Sequence, residues 1–342
     1  MSRVLSNRGI EVLVVAPDRN DRANYDTPAT VRTFGRLISL PANGSRAPLT
    51  LSLVAARAAV RAVHQFGPDV VHLHEPFAPV LGYDLLRTHR HPTIGTFHRS
   101  GGGPAFTLTA PLLRALQRGI DTATAVSDAA SATIRKAAGV HPVTLFNGFE
   151  TERFREFDRV ANDTPTIFFI GRLEPRKGIG TLLEVARRRH ARGARPWQFV
   201  VAGDGAQRDA VVRADVVAAG VQSLGAIDDQ VKRRWLRRAD VVVAPSTHGE
   251  SFGLVLLEAM ASETPIVASD IEGYREAAAG YAQLFMPNDP DQLESAIERA
   301  LKSSAAEILS ARRHAERWSM EHLIDQYCGI YEEARDRFGQ SR

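Results

Sequence analysis

The chain has 342 residues, enough for two domains that each bury their own core. With 44% hydrophobic and 24% charged residues it has the composition of a globular protein, which excludes a disordered, collagen-like or coiled-coil chain. The net charge is +4, and the single cysteine, Cys328, excludes an intrachain disulfide framework and a multi-cysteine metal site and fits a reducing, cytosolic setting.

The chain opens with a short helical segment (Ser2–Asn7), a turn at Arg8-Gly9 and a strand at Glu11–Ala16. No signal peptide is read there, and no later apolar run reaches the ~18 residues needed to span a bilayer. A doubly wound α/β domain ordinarily begins with a strand, a Gly-rich turn and a helix. Its first strand and phosphate-facing turn are therefore expected to be missing, with roughly 20–25 residues lying upstream. On that expectation the chain is a fragment or a poorly stable, weakly active protein. Residues 1–120 carry 14 Arg against 7 acids, and residues 27–68 hold five Arg (Arg32, Arg36, Arg46, Arg57, Arg61) with no acid. This is either a solvated basic face or the footprint of an anionic partner. The only aromatic residues there, Phe34 and Phe66, give little for nucleic-acid bases to stack on.

Further strands are expected at Asp69–Leu73, Thr93–Phe97, Thr122–Val126, Thr166–Ile170, Gln198–Ala202, Asp240–Ala244 and Pro265–Ala268. Helix-length amphipathic segments separate most of them, which predicts parallel sheets with helices on both faces. The polar stretch Glu150–Pro165 reads as a linker. The domains are then 1–160, 161–316, and a C-terminal helical segment, 317–342, packing back on the first. Ligands of such sheets bind at the carboxyl ends of the strands, and the cleft between the halves is the default site.

The densest chemistry is His248-Gly-Glu250-Ser251-Phe252-Gly253-Leu254-Val255-Leu-Leu-Glu258. Glu250 precedes a helix and Glu258 lies within it. Eight positions at ~3.6 per turn put both carboxylates on roughly one side. Ser251 is the expected N-cap, and Gly253 lets a ligand approach the backbone. The N–H groups of Phe252, Gly253, Leu254 and Val255 then form an anion site at the helix start. A sugar nucleotide suits this arrangement, although an ordinary capped helix with solvated acids shows the same spacing. Gly171-Arg172-Leu-Glu-Pro-Arg-Lys177-Gly178 follows a buried strand with two cations able to stabilise a diphosphate leaving group without a metal. Alone, such residues are more often surface charges. Gly203-Asp204-Gly205 is a strand running into a tight turn. In Gly225-Ala-Ile227-Asp228-Asp229-Gln-Val-Lys232 a carboxylate either accepts from the amino face of a purine or caps a helix.

In order and spacing these elements resemble the retaining glycosyltransferases of family 4. The resemblance implies the GT-B fold, an α/β architecture of two facing Rossmann-like doubly wound domains with an interdomain cleft. In the N-terminal half, Pro41-Ala-Asn43-Gly44-Ser45, Val71-His-Leu-His74-Glu75-Pro76, Gly95-Thr-Phe97-His98, Ala125-Val-Ser127 and Asn147-Gly-Phe-Glu are similar to phosphatidyl-myo-inositol mannosyltransferases. Those enzymes move mannose from GDP-mannose to the inositol of a membrane lipid.

By that resemblance Arg172 and Lys177 hold the diphosphate, Glu250 faces the mannose, Glu258 binds the ribose, and Asp229 with Lys232 reads guanine. Gly171, Gly203, Ile227 and the Ser251–Val255 segment complete the donor contacts. His98, Arg172, Lys177 and Glu250 are the expected catalytic group. Asn43, Gly44, Ser45, His98 and Arg99 are the expected acceptor contacts. The family has a Ser/Thr-rich stretch with a Lys after Thr-Phe-His; here it is Arg99-Ser-Gly-Gly-Gly-Pro104, which leaves Arg99 to recognise the acceptor phosphate. Without the resemblance His98 reads first as a hydrogen-bonded structural histidine. His72 and His74 are expected on opposite faces of their strand, and neither is read as a metal ligand.

No obligatory cofactor or metal is expected. The partners implied are a nucleotide sugar and an anionic lipid surface at the inner face of the cell membrane, with no nucleic acid. The family's usual mechanism is a front-face transfer, in which a diphosphate oxygen takes the acceptor's proton. Two readings compete: a family 4 transferase using another nucleotide sugar and a soluble acceptor, and a truncated, non-catalytic nucleotide-sugar-binding protein. A nicotinamide dehydrogenase is not supported, because no G-x-G-x-x-G follows a first strand.

Overall fold

Short apolar runs become parallel strands in both halves of the chain. The computed structural model describes residues 1–18, 27–36, 38–42, 45–49, 52–78, 81–98, 104–250 and 252–340. It contains two units, Met1–Gly148 together with Met320–Arg342, and Phe149–Ser319.

In the first unit, α1 (Ser2–Asn7) leads to β1 (Leu13–Asp18), which pairs in parallel with β2 (Thr30–Arg36). β3 (Ile38–Ala42) and β4 (Ser45–Leu49) form an antiparallel pair that sets Ala42 opposite Ser45. α2 (Leu53–Phe66) starts where the Ser52 side chain accepts the Ala55 N–H and ends at Gly67, whose φ of 64° no β-carbon opposes. Its buried face is Ala56, Ala59, Ala62 and Val63. β5 (Val71–His74), α3 (Leu81–Thr88), β6 (Thr93–Phe97), α4 (Pro104–Leu116), β7 (Thr122–Ala125), α5 (Asp128–Ala138) and β8 (Val143–Thr144) follow. They build a four-stranded parallel sheet in the order β5-β6-β7-β8. The C-terminal helix (Met320–Gln340) belongs to this unit. Its Leu323, Tyr327 and Ala334 pack with Ile94 of β6, and its Ile324 packs with Val4 and Leu5 of α1.

The second unit runs β9 (Thr166–Ile170), α6 (Ile179–Ala191), β10 (Gln198–Ala202), α7 (Arg208–Val211), α8 (Ala214–Ala218), β11 (Val221–Gly225), α9 (Asp229–Arg238), β12 (Val241–Ala244), α10 (Leu254–Ala261), β13 (Ile266–Ser269), α11 (Glu272–Ala278), β14 (Gln283–Phe285), α12 (Pro290–Ala300) and α13 (Ala305–Glu316). Its six strands are all parallel, in the order β11-β10-β9-β12-β13-β14. Alternate residues of each central strand enter different cores. Ile167, Phe169 and Val201 pack with Leu182 and Leu183 of α6, while Phe168, Val200 and Val242 pack with Leu256 and Leu257 of α10. Burial on both faces is why these strands are apolar throughout.

Glu150–Pro165 is not a free linker. It lies in the second unit, and its one apolar anchor explains why: Phe154 is buried with its ring 5.5 Å from Phe149. The strands β2, β3, β4, β8, β11 and β14 were not expected from the sequence. Most are short or have exposed residues, so they lack a sustained apolar run.

Candidate functional site

In the second unit the strand order reverses between β9 and β12, and in an open α/β sheet the loops leaving the strands at that point face the ligand. The loop after β9 carries Gly171–Gly178, and the loop after β12 carries Pro245–Gly253. Lys177 Nζ donates to Glu250 Oε1 at 2.7 Å, and Arg176 Nη1 donates to the same oxygen at 3.0 Å. Ser246 Oγ donates to it as well, at 3.1 Å, and Tyr274 OH in turn donates to Ser246 Oγ at 2.9 Å. Arg172 is 53% exposed and pairs with Glu174 at 2.8 Å, so of the two expected cations only Lys177 touches Glu250.

α10 begins at Leu254, so Glu250 stands outside the helix and the two-turn relation expected between Glu250 and Glu258 does not hold. The two carboxylates are held by different cations. Glu258 is buried in α10 and accepts from Lys232 Nζ at 2.9 Å. Lys232 also meets Asp229 at 3.0 Å, and Arg233 bonds Asp229 at 2.5 Å. Burial pushes the Glu258 carboxyl above the ordinary range, with Lys232 pulling the other way. Burial alone would lower Lys232, but Glu258 and Asp229 outweigh it and raise the ammonium. For Asp229, burial would raise the carboxyl, and Lys232 and Arg233 bring it down.

Gly253, with φ of 82°, is the N-cap of α10 and makes no side-chain capping bond. This replaces the expected cap by Ser251, which lies outside the described residues. The Leu254 and Val255 N–H groups precede the first bond of the helix, from Leu256 N–H to Gly253 O at 2.9 Å. Phe252 packs its ring 4.5 Å from that of Trp318, Val255 is half-buried, and Leu254 is exposed. Ile227 packs partly buried against the α10-side core, and Asp228 caps α9 by accepting the Val231 N–H. Gly171 donates its N–H to Ala202 O, and a β-carbon on Gly203 would fall 1.8 Å from Gly171 O. Gly203 therefore lets the two loops touch backbone to backbone.

In the first unit, His98 follows β6. Its backbone N–H donates to Glu75 Oε1 at 2.7 Å, and its Nε2 lies 2.9 Å from His74 Nδ1. His72 and His74 do not point to opposite faces. They are two residues apart on one strand, a period of two puts them on the same face, and their rings stack 4.5 Å apart. His72 is held between Tyr331 OH at 2.8 Å and Thr96 Oγ1 at 2.6 Å, and burial pushes it well below the usual histidine range. Of the expected acceptor contacts, Asn43, Gly44 and Arg99 lie outside the described residues, and Ser45 is placed as a strand residue opposite Ala42. Arg32, Arg36, Arg57 and Arg61 are exposed, and Leu53 and Val54 at the start of α2 are 61% and 75% exposed.

Three contributors were not singled out in the sequence. Arg176 sat unremarked beside Lys177, Ser246 follows β12 at the start of the Glu250 loop, and Tyr274 gives no local signal because its contact is made by tertiary packing. Among the described residues no group of three or more His, Cys, Asp or Glu could hold a metal ion, and no helix is long and apolar enough to cross a membrane.

Residues 1–153 match the family described as Glycosyltransferase Family 4, and residues 164–303 match the one described as Glycosyl transferases group 1. The phosphatidyl-myo-inositol mannosyltransferase of Mycolicibacterium smegmatis is 32% identical over 345 residues, which cover 97% of this chain and 88% of that protein. A D-inositol 3-phosphate glycosyltransferase of Geodermatophilus obscurus is 30% identical over 379 residues, covering 98% of this chain and 83% of that one. A solved glycosyltransferase structure from Rickettsia africae superposes with a TM-score of 0.72 at 16% identity, covering 97% of this chain and 92% of its own.

Proposed function

We propose what this chain does from one premise: it belongs to glycosyltransferase family 4, with the GT-B fold, and is a glycosyltransferase. We infer that it moves a hexose, mannose from GDP-mannose, to a phosphatidylinositol-type lipid. The observation that carries the donor half is the Lys177–Glu250 pair beside the α10 N-terminus, at the point where the strand order reverses. An anion, a cation and the N–H groups of a helix start in one place suit a ligand with both hydroxyls and a diphosphate. In this reading Lys177, Arg172 and the N–H groups at the start of α10 hold the diphosphate, Glu250 faces the sugar, Glu258 meets the ribose, and Ile227, Asp229 and Lys232 meet the base.

The acceptor hydroxyl attacks the anomeric carbon on the face from which the diphosphate leaves. The new C–O bond forms as the sugar–phosphate bond breaks, the hydroxyl proton passes to a diphosphate oxygen, and GDP departs. Lys177 and Arg172 stabilise the charge that develops on the leaving group. His98 meets the acceptor or the reacting sugar, with its ring held by His74 and its backbone by Glu75. The exposed arginines of the first unit and the apolar start of α2 suit an anionic lipid surface, which would place the protein peripherally at the inner face of the membrane.

A second reading is favoured by the likeness to a glycosyltransferase that acts on a phosphorylated inositol: the same fold with a soluble acceptor. Transfer and hydrolysis measured over a panel of GDP- and UDP-sugars, with and without phosphatidylinositol, separate the two. Mannose transfer from GDP-mannose that needs the lipid supports the first. Transfer to a soluble inositol phosphate supports the second. Donor binding without turnover supports a non-catalytic binding protein.

A further inference from the structure

Glu250 takes three hydrogen bonds on a single oxygen, Oε1: from Arg176, Lys177 and Ser246. Two come from partly buried cations for which an incoming anion would compete. The third comes from Ser246, which is buried at 2% exposure. Serine has one hydroxyl proton, and a carboxylate oxygen only accepts, so that proton goes to Glu250. Ser246 Oγ then faces its other neighbour as an acceptor. That neighbour is Tyr274 OH, fully buried and 2.9 Å away, which has to donate. The direction Tyr274 to Ser246 to Glu250 is fixed by chemistry. Burial and the nearby Glu250 carboxylate push the Tyr274 phenol far above its ordinary range, so it keeps the proton the chain needs.

The same residue touches the other end of the loop. A β-carbon on Gly253, the N-cap of α10, would fall 2.6 Å from Tyr274 Cδ1, so the tyrosine ring lies directly against the helix start. Its neighbour Gly273 meets the Glu250 carbonyl more closely still, since a β-carbon there would fall 1.8 Å from that oxygen. The first turn of α11 thus lies against both Glu250 and Gly253.

We propose that Tyr274 is a positioning residue of the donor site: its hydroxyl, acting through Ser246, aims the Glu250 carboxylate, and its ring seats the N-terminus of α10. The role assigned to Glu250 rests on the donor-site reading above; the hydrogen-bond relay itself does not.

The test uses the full chain and three variants, Tyr274→Phe, Ser246→Ala and the double variant, which removes both partners and leaves no buried hydroxyl unpaired. The first readout is the stability of each variant in urea unfolding. Tyr274→Phe and Ser246→Ala each unfold at lower urea than the unaltered chain, and the double variant loses less than the sum of the two, because the two hydroxyls share one hydrogen bond. The second is kcat for transfer from GDP-mannose together with the Kd for GDP. Loss of one bond to a charged group predicts a fall in kcat of about tenfold or more in Ser246→Ala and a smaller one in Tyr274→Phe, with GDP binding unchanged. The double variant falls no further than Ser246→Ala, because the two residues act in series. An unchanged kcat in Ser246→Ala, or losses in stability or kcat that add in the double variant, overturns the proposal. If the unaltered chain transfers no sugar, the functional reading fails, and the urea-unfolding cycle still decides the relay.

Discussion

Lys177 and Glu250 are 73 positions apart in the chain and 2.7 Å apart in space, joined by a hydrogen bond from Nζ to Oε1. Two loops leaving neighbouring strands of one sheet bring them together. Arg176 reaches the same oxygen, so the carboxylate keeps a cation when either partner is removed.

Glu250→Ala and Lys177→Ala should each slow transfer by ~2.7–4 kcal/mol of transition-state stabilisation, roughly 100- to 1,000-fold. Lys177→Ala should fold and melt like the unaltered chain, because Arg176 remains on Glu250. Turnover at saturating donor and the melting curve are the measurements. Near-normal turnover in either variant removes the site assignment.

Lys232→Met should leave Glu258 buried beside no ammonium. The carboxyl, already raised by burial, should move further up, and the chain should lose about 1–3 kcal/mol in urea unfolding. Adding Glu258→Gln to that background should recover part of the loss. A double variant less stable than Lys232→Met would show that the pair is not what holds these two residues in place.

Binding to anionic vesicles should depend on Arg32, Arg36, Arg57 and Arg61 and fall steeply with salt, as the Debye length shrinks to ~3 Å at 1 M. Co-sedimentation with anionic and neutral liposomes reads this directly. Equal partitioning onto both would sink the lipid-acceptor reading and promote the soluble one.

His72 should make the protein sensitive to acid. Its folded-state value lies well below that of the unfolded chain, which takes up its proton at about pH 6.5. Between the two values the unfolded state binds the extra proton, so stability falls as the pH drops below about 6.5 and is recovered above it. Melting temperatures at pH 5.5 and 7.5 should differ, and His72→Gln should narrow the gap. An unchanged gap would assign the acid sensitivity to other groups.

Much of the second unit was legible in the sequence because its central strands are buried on both faces. Thr166–Ile170 and Gln198–Ala202 read as continuous apolar runs and were bounded correctly. Val221–Gly225 and Gln283–Phe285 were missed because only one residue of each is fully buried. In the site, Lys177 and Glu250 stood out because charged residues at strand ends are conspicuous. Arg176 is equally charged and equally close, but no spacing rule ranks it against Arg172. Ser246 and Tyr274 are uncharged, and their role exists only once β12 and α11 are packed together. The expected cap at Ser251 started the helix two residues earlier than the one formed, because Gly253 adopts a left-handed conformation and is itself the cap, and the arithmetic linking Glu250 to Glu258 ran through residues that are not helical.

Gly203 meets Gly171, and Gly273 meets Glu250, backbone to backbone with no side chain between them. Under the proposed donor reading a ligand would enter a site whose ion pairs are already made, so its admission would be an exchange. The diphosphate would draw Lys177 away from Glu250, which keeps Arg176 and Ser246, and a sugar hydroxyl would take the place that Lys177 leaves. GDP alone would break the pair and offer the carboxylate nothing in return. On that reading, transfer should be less sensitive to accumulating GDP than a shared nucleotide pocket would lead one to expect.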